Sequence, residues 1–296
     1  MIPMAPQGRK PKTMTATAKE NRIVKAFADL RAAGKKALLP FITAGYPDLE
    51  TTEALLHELA ARGVRVCELG IPFSDPVADG PVIQASYTQA LAGGVTSEKI
   101  LDTVRRFRTS TTANTATAAS ELAIIAMVSY SIVFRRNVEQ FVAQAAQAGI
   151  DGLIIPDLPL DEAAAMEQLT SAAGLCNIML IAPTTPPARR LEIARHSRGF
   201  VYFVSIAGIT GERDRLPQPT IDAVADLRRQ IDTPVCVGFG IAKAQTVEQV
   251  CKVADGAIVG SAIVHHITDA VTQGLPRAQL VRQVGEFVSE LTVPIR

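Results

Sequence analysis

Three carboxylates fall within fifteen residues in the run Cys67-Glu-Leu-Gly-Ile-Pro-Phe-Ser-Asp-Pro-Val-Ala-Asp-Gly-Pro81. The run opens as a short apolar strand, in which side chains point to alternate faces. Glu68 therefore shares a face with Val64 and Val66. A carboxylate at the end of an apolar face is desolvated, and its pKa rises toward the range useful for proton transfer. Asp75 and Asp79 follow in a loop stiffened by Pro72, Pro76 and Pro81, whose fixed φ angles restrict where those carboxylates point. Taken singly, each acid also reads as an ion-pair or turn residue. Three in one rigid loop point to acid/base chemistry.

The elements that must position these acids are legible from periodicity. Asn21 to Ala33 carries Ile23, Val24, Phe27 and Leu30 at helical spacing and stops at Gly34, which predicts an N-terminal helix. Apolar runs then alternate with amphipathic stretches. They predict strands at Ala37–Thr43, Val64–Leu69, Ala123–Val128, Gly152–Ile155, Asn177–Ile181, Gly199–Val204, Pro234–Val237 and Gly256–Val259. Each is short and nearly all apolar, as parallel strands buried on both faces are. Eight such units predict an α/β fold, a single (β/α)8 TIM barrel with an extra N-terminal helix, spanning residues 21–296. Residues 1–20, polar and basic with no acid before Glu20, read as a flexible extension rather than a transit peptide. Met4 and Met14 are alternative starts.

A barrel of this kind carries its chemistry at the carboxyl ends of the strands, and the remaining motifs lie there. Phe200 and Tyr202 share a face of one predicted strand, which brings a phenol toward the mouth. Beyond that strand runs Ser205-Ile-Ala-Gly-Ile-Thr-Gly211, which reads as a lid or a phosphate clamp. The next two strands lead into Gly238-Phe-Gly240 and into Gly260-Ser261, the second opening a helix. Backbone N–H groups in these turns, with the positive end of that helix, suit a phosphate dianion. Arg213 and Arg215 read as solvated lid charges, and Asp161 as the N-cap of the helix after the fourth strand. Thr109 to Ser120, rich in Thr and Ala, reads as an exposed connection.

Composition narrows the function. The 296 residues are 48% hydrophobic and 20% charged, with net charge +1, which supplies no basic field for nucleic acid. No apolar run approaches the roughly 18 residues a bilayer span needs. Cys67, Cys176, Cys236 and Cys251 are scattered without metal spacing, and the four histidines do not converge. The residues alone thus indicate acid/base chemistry on a small phosphorylated substrate, without a metal or organic cofactor in this chain, in the cytoplasm.

The run Glu68 to Pro81 resembles the signature of tryptophan synthase alpha chains, and the similarity extends from about Leu38 to Ile267. The resemblance implies retro-aldol cleavage of indole-3-glycerol phosphate to indole and glyceraldehyde 3-phosphate. By that resemblance Glu68 carries the proton, Asp79 stabilises charge at the indole N–H, and Tyr202 places the substrate. Gly211, Gly240, Gly260 and Ser261 match phosphate contacts, Phe41, Ile154, Ile181 and Phe239 the indole pocket, and Thr210 a lid threonine. Asp157 matches a position near the active site and the partner-facing loops, and Asp75 a positioning or partner contact. The family works with a beta chain that holds pyridoxal phosphate, in an α2β2 assembly. Two places depart from the pattern: Ser129 and Ser131 stand where the family shows Tyr and Asn, and Ile206 where its lid often has Arg or Val. Other phosphate-binding barrels would need a catalytic Lys or a pair of Asp residues on the first and fifth strands, and neither is visible. A free-standing indole-releasing lyase, or a silent subunit that activates a beta chain, are the remaining alternatives.

Overall fold

The computed structural model describes residues 20–76, 79–110, 116–205, 216–238 and 240–295. Nine parallel strands form one sheet: β1 (Ala37–Thr43), β2 (Val66–Gly70), β3 (Ala123–Met127), β4 (Gly152–Ile154), β5 (Cys176–Ile178), β6 (Leu180–Ile181), β7 (Val201–Val204), β8 (Val235–Gly238) and β9 (Gly256–Val259). β1 and β9 match their predicted ranges at both ends, and the others shift by a residue or two. The one difference in count lies in the predicted strand Asn177–Ile181, which is broken at Met179. The Met179 N–H leaves the ladder to donate to the Ser197 hydroxyl at 3.0 Å. The two halves then pair on opposite sides, β5 with β4 and β6 with β7. That single run closes the ring, so the sheet is a barrel.

Every residue of β1, β2 and β3 is buried, as strands enclosed between a barrel interior and an outer ring of helices must be. The register aligns Phe41 with Glu68 and Glu68 with Ile125, so a carboxylate stands in a row of apolar side chains. Helices between the strands begin where the sequence offers caps. Asp48 accepts from Thr51 N at the start of Leu49–Ala61, and Asn137 from Gln140 N at the start of Val138–Ala148. The helix after β4 starts differently from expectation: Pro159 is its N-cap, and Asp161 sits with Glu162 in the first turn, where acids complement the helix dipole. Part of the Thr/Ala-rich stretch is also more ordered than its composition suggests. Ala116–Glu121 is helical, and the Ala119 carbonyl accepts from Arg108 at 2.9 Å.

The N-terminal helix Arg22–Ala32 seals the end of the barrel opposite the site. Ile23, Ala26 and Phe27 are buried, and the Phe27 ring lies 5.6 Å from that of Phe200. Asn21 caps the helix and also donates to the carbonyls of Asp151 (2.7 Å) and Gly174 (2.9 Å). Beside it the buried Asp151 carboxylate accepts from Arg22 and Arg108, each at 2.8 Å, and from Ile124 N at 2.8 Å. Removing one member of a buried ion pair leaves the other uncompensated. Arg108→Leu is therefore expected to lower the unfolding free energy by about 3 kcal/mol in urea titration.

Candidate active site

A cavity of about 250 Å³ opens at the carboxyl ends of the strands, and seven of the residues singled out from the sequence line it: Phe41, Glu68, Asp79, Tyr202, Gly240, Gly260 and Ser261. Each arrives from a different part of the ring. β1 brings Phe41, β2 brings Glu68, the loop after β2 brings Asp79, and β7 brings Tyr202. Ile154 and Ile181 are fully buried in β4 and β6 and do not line this cavity. Thr210, Gly211 and Phe239 lie outside the described residues, as do Ile206, Arg213 and Arg215.

Glu68 is 1% exposed, and neither carboxyl oxygen has a hydrogen-bond partner among the described residues. The described lining contains no Lys or Arg to balance a charge there. Burial pushes the Glu68 carboxyl well above the usual carboxylate range, which favours its protonated form. Asp79 is less enclosed, and burial raises it to about 6. Burial thus favours the protonated form of both acids, and the fully enclosed Glu68 is placed to act as a proton donor.

The loop that carries Asp79 is tied down by Gln84, whose amide donates to the Asp79 carbonyl (2.8 Å) and the Pro76 carbonyl (3.2 Å). On the opposite wall, Tyr202 is 3% exposed, and burial above all raises its phenol well above the ordinary range, so it stays protonated. It fits only because position 238 lacks a side chain: a Cβ there would stand 2.2 Å from the phenol oxygen. At the far end Gly260 is the N-cap of the helix Ser261–Thr272 and makes no side-chain cap bond. The N–H groups of that first turn have no intrahelical acceptor, which suits an anion.

Several lining residues escaped the sequence reading. His265 lies one helical turn beyond Ser261, so the i,i+4 spacing signals that both share a face. Met127 ends β3 and, like Ile258, reads as ordinary core. Among the described residues no group of three or more His, Cys, Asp or Glu is placed to hold a metal ion.

The sequence profile described as tryptophan synthase alpha chain matches residues 27–293. The chain belongs to the tryptophan synthase alpha chain family. A tryptophan synthase alpha chain of Geobacter sulfurreducens is 44% identical over 271 residues, covering 92% of this chain and 97% of its own length. That of Rhodopirellula baltica is 42% identical over 270 residues, covering 90% and 95%. The crystal structure of the tryptophan synthase alpha subunit of Legionella pneumophila superposes with a TM-score of 0.81 at 36% identity, covering 93% of this chain and 98% of that one. As a tryptophan synthase alpha chain the protein is a carbon–carbon lyase of tryptophan biosynthesis. It cleaves indole-3-glycerol phosphate, and its family works with a beta chain.

Proposed function

We propose that Glu68 is the proton carrier of the lyase reaction and Asp79 the carboxylate that steadies the indole nitrogen. The carrying observation is the buried, unpartnered Glu68 carboxyl on the wall of the cavity, where burial favours its protonated form. Glu68 donates its proton to carbon 3 of the indole, which turns the ring into an electron sink. The bond between carbon 3 and the hydroxyl-bearing side-chain carbon then breaks, its electron pair returning to the ring, while the hydroxyl proton passes to the Glu68 carboxylate. The net change is one proton moved from oxygen to carbon, and Glu68 ends as it began. Asp79, ionised above pH of about 6, accepts from the ring N–H as positive charge grows there. Tyr202 and Phe41 bound the indole, and Gly240, Gly260 and Ser261 face the phosphate. Ile154, Ile181, Thr210, Gly211 and Phe239 complete this assignment on the strength of the family resemblance.

The same reading gives the chain a pyridoxal-phosphate beta chain as partner, in an α2β2 assembly of the cytoplasm. No helix among the described residues is long and apolar enough to cross a membrane. The surface beside the site supports such a partner. Phe134 is 68% exposed on the helix Tyr130–Arg135, next to an apolar groove that includes Ile71, Phe73, Leu91 and Ile132. Exposed aromatics of this kind are frequent anchors at protein interfaces. The departure at Ser129 has a structural account. Its hydroxyl donates to Asp157 at 2.8 Å, Asp157 also accepts from Tyr130 N at 2.7 Å, and Ser129 caps the Phe134 helix.

Indole release from indole-3-glycerol phosphate, measured with and without a tryptophan synthase beta chain, tests both parts. Slow release alone and much faster release with the beta chain is expected. Phe134→Asp should abolish most of that stimulation while the basal rate stays unchanged. Equal, fast release in both conditions would make the protein a free-standing lyase.

A further inference from the structure

Among the described residues no side chain donates to the Asp79 carboxylate, so its direction is set by the backbone that carries it. Pro76 and Pro81 fix their own φ angles but have no N–H to tie that backbone down. The ties come from elsewhere. Asp79 N–H donates to the Pro76 carbonyl at 3.0 Å, and Gln84 N–H to the Gly80 carbonyl at 3.0 Å, where the helix Pro81–Ala92 begins. The side-chain tie is Gln84, whose amide nitrogen donates to the Asp79 carbonyl at 2.8 Å and to the Pro76 carbonyl at 3.2 Å. An amide nitrogen carries two hydrogens, and both are spent on this loop.

A tether holds a loop only if its own base is fixed, and the base of Gln84 is. Ser86, on the same helix, is buried and meets the buried Thr43 hydroxyl at 2.7 Å. Its single hydroxyl hydrogen goes to the Ile83 carbonyl at 2.8 Å, so Thr43 is the donor and Ser86 the acceptor. Thr43 ends β1, the strand that brings Phe41 to the cavity. The first turn of the helix also supplies Pro81, Val82 and Ile83 to the cavity wall. A continuous line of hydrogen bonds therefore runs from β1 through Thr43 and Ser86 into the helix, and from Gln84 to the two carbonyls of the Asp79 loop.

We propose that Gln84 is a positioning residue for the lyase reaction, its amide clamping the Pro76 and Asp79 carbonyls to the helix and so aiming the Asp79 carboxylate into the substrate cavity. The inference rests on the role assigned to Asp79. Without the clamp Asp79 spends less time facing the ring nitrogen, and the loss falls on the step in which charge grows there, hence on kcat rather than KM. A loosened loop also admits water, so the Asp79 carboxyl falls from about 6 toward its ordinary 3.8. The groups that face Asp79 are Glu68, Tyr202 and His265 from the substrate side, Tyr87 from its own helix, and Asp75 and Asp157 from the rear. None of them bonds to the Gln84 side chain, so a moved acid limb in a Gln84 variant reports on Asp79.

The test is kcat, KM and their pH dependence for indole release by the full chain with its beta chain present. Gln84→Met keeps the length of the side chain and removes both donors. Its kcat should fall roughly ten- to thirtyfold at pH 8 with KM within about twofold of wild type. Its acid limb should move down by about half to one pH unit, so that the deficit narrows as the pH falls. Gln84→Glu is the second variant: an acid near the start of a helix suits the dipole, but once ionised it has no hydrogen for either carbonyl. It should be at least as slow as Gln84→Met at pH 8. On an Asp79→Asn background either substitution should add less than about twofold. Wild-type kcat and an unmoved limb in both variants, with Asp79→Asn slow, overturn the role of Gln84 alone. A fall as large on the Asp79→Asn background as on wild type overturns it too, because Gln84 would then act elsewhere. An Asp79→Asn variant that keeps its activity overturns the assignment of Asp79 on which the inference stands.

Discussion

Glu68→Gln is expected to slow indole release by two to four orders of magnitude, the usual worth of a positioned general acid and base. The amide has the size of the acid and can still donate a hydrogen bond, but it cannot deliver a proton to carbon 3 or take one from the hydroxyl. Binding of a glycerol-phosphate analogue should survive, because the turns at Gly240 and Gly260 proposed to hold the phosphate follow other strands. Stability should move the other way from activity. The folded-state pKa of Glu68 is raised by burial, so the folded form binds its proton more tightly than the unfolded chain does. That contribution is present in full below the unfolded carboxylate pKa and is lost as pH rises through the folded value. Gln does not titrate, so the variant should gain melting temperature over wild type as the pH is raised. Near-normal turnover in Glu68→Gln would remove this residue from the reaction.

The second large effect concerns Asp79. Its carboxyl is raised from 3.8 to about 6 by burial, so it gains a proton as the pH falls through about 6, and kcat should decline there with a slope of one proton. Asp79→Asn is expected to lose about two to three orders of magnitude in kcat, as removal of a group that stabilises transition-state charge does. It should also lose the limb itself, leaving a low, flat profile across that range. The sign of the stability term matches that of Glu68: ionising a carboxyl whose folded pKa is raised costs stability. Asp79→Asn should therefore melt no lower than wild type at pH 8. An acid limb that persists unchanged in Asp79→Asn would assign it to another group.

Much of this site can be read from residue order because parallel barrel strands are uniformly apolar, so a lone Glu68 inside one stands out at once. The proline-stiffened loop and the paired glycine turns are equally local signals. What escaped depends on pairings that residue order does not record. Ser86 is one small residue on a helix until its hydroxyl is seen to meet that of Thr43, 43 positions earlier. Met179 breaks its strand because of a hydroxyl eighteen positions later, at Ser197. The helix of Ala116–Glu121 is supported by Arg108, whose guanidinium also reaches Asp151 across a separation of 43 residues. In each case the deciding partner is distant in the chain and chemically unremarkable by itself.

The helix that plugs the lower end of the barrel has a consequence for how the chain is made. Arg22–Ala32 is made before every strand of the barrel, yet Arg22 donates to the Ser120 carbonyl, its cap Asn21 to the Asp151 and Gly174 carbonyls, and Phe27 packs on the ring of Phe200. Its apolar stripe of Ile23, Ala26 and Phe27 is covered in part by β3 and β4 and completed only by Phe200, just before β7. Domains begin folding as they emerge, and unsatisfied apolar surface at that stage invites association with other chains. The stripe on the nascent chain thus lacks its last cover until translation has passed Phe200.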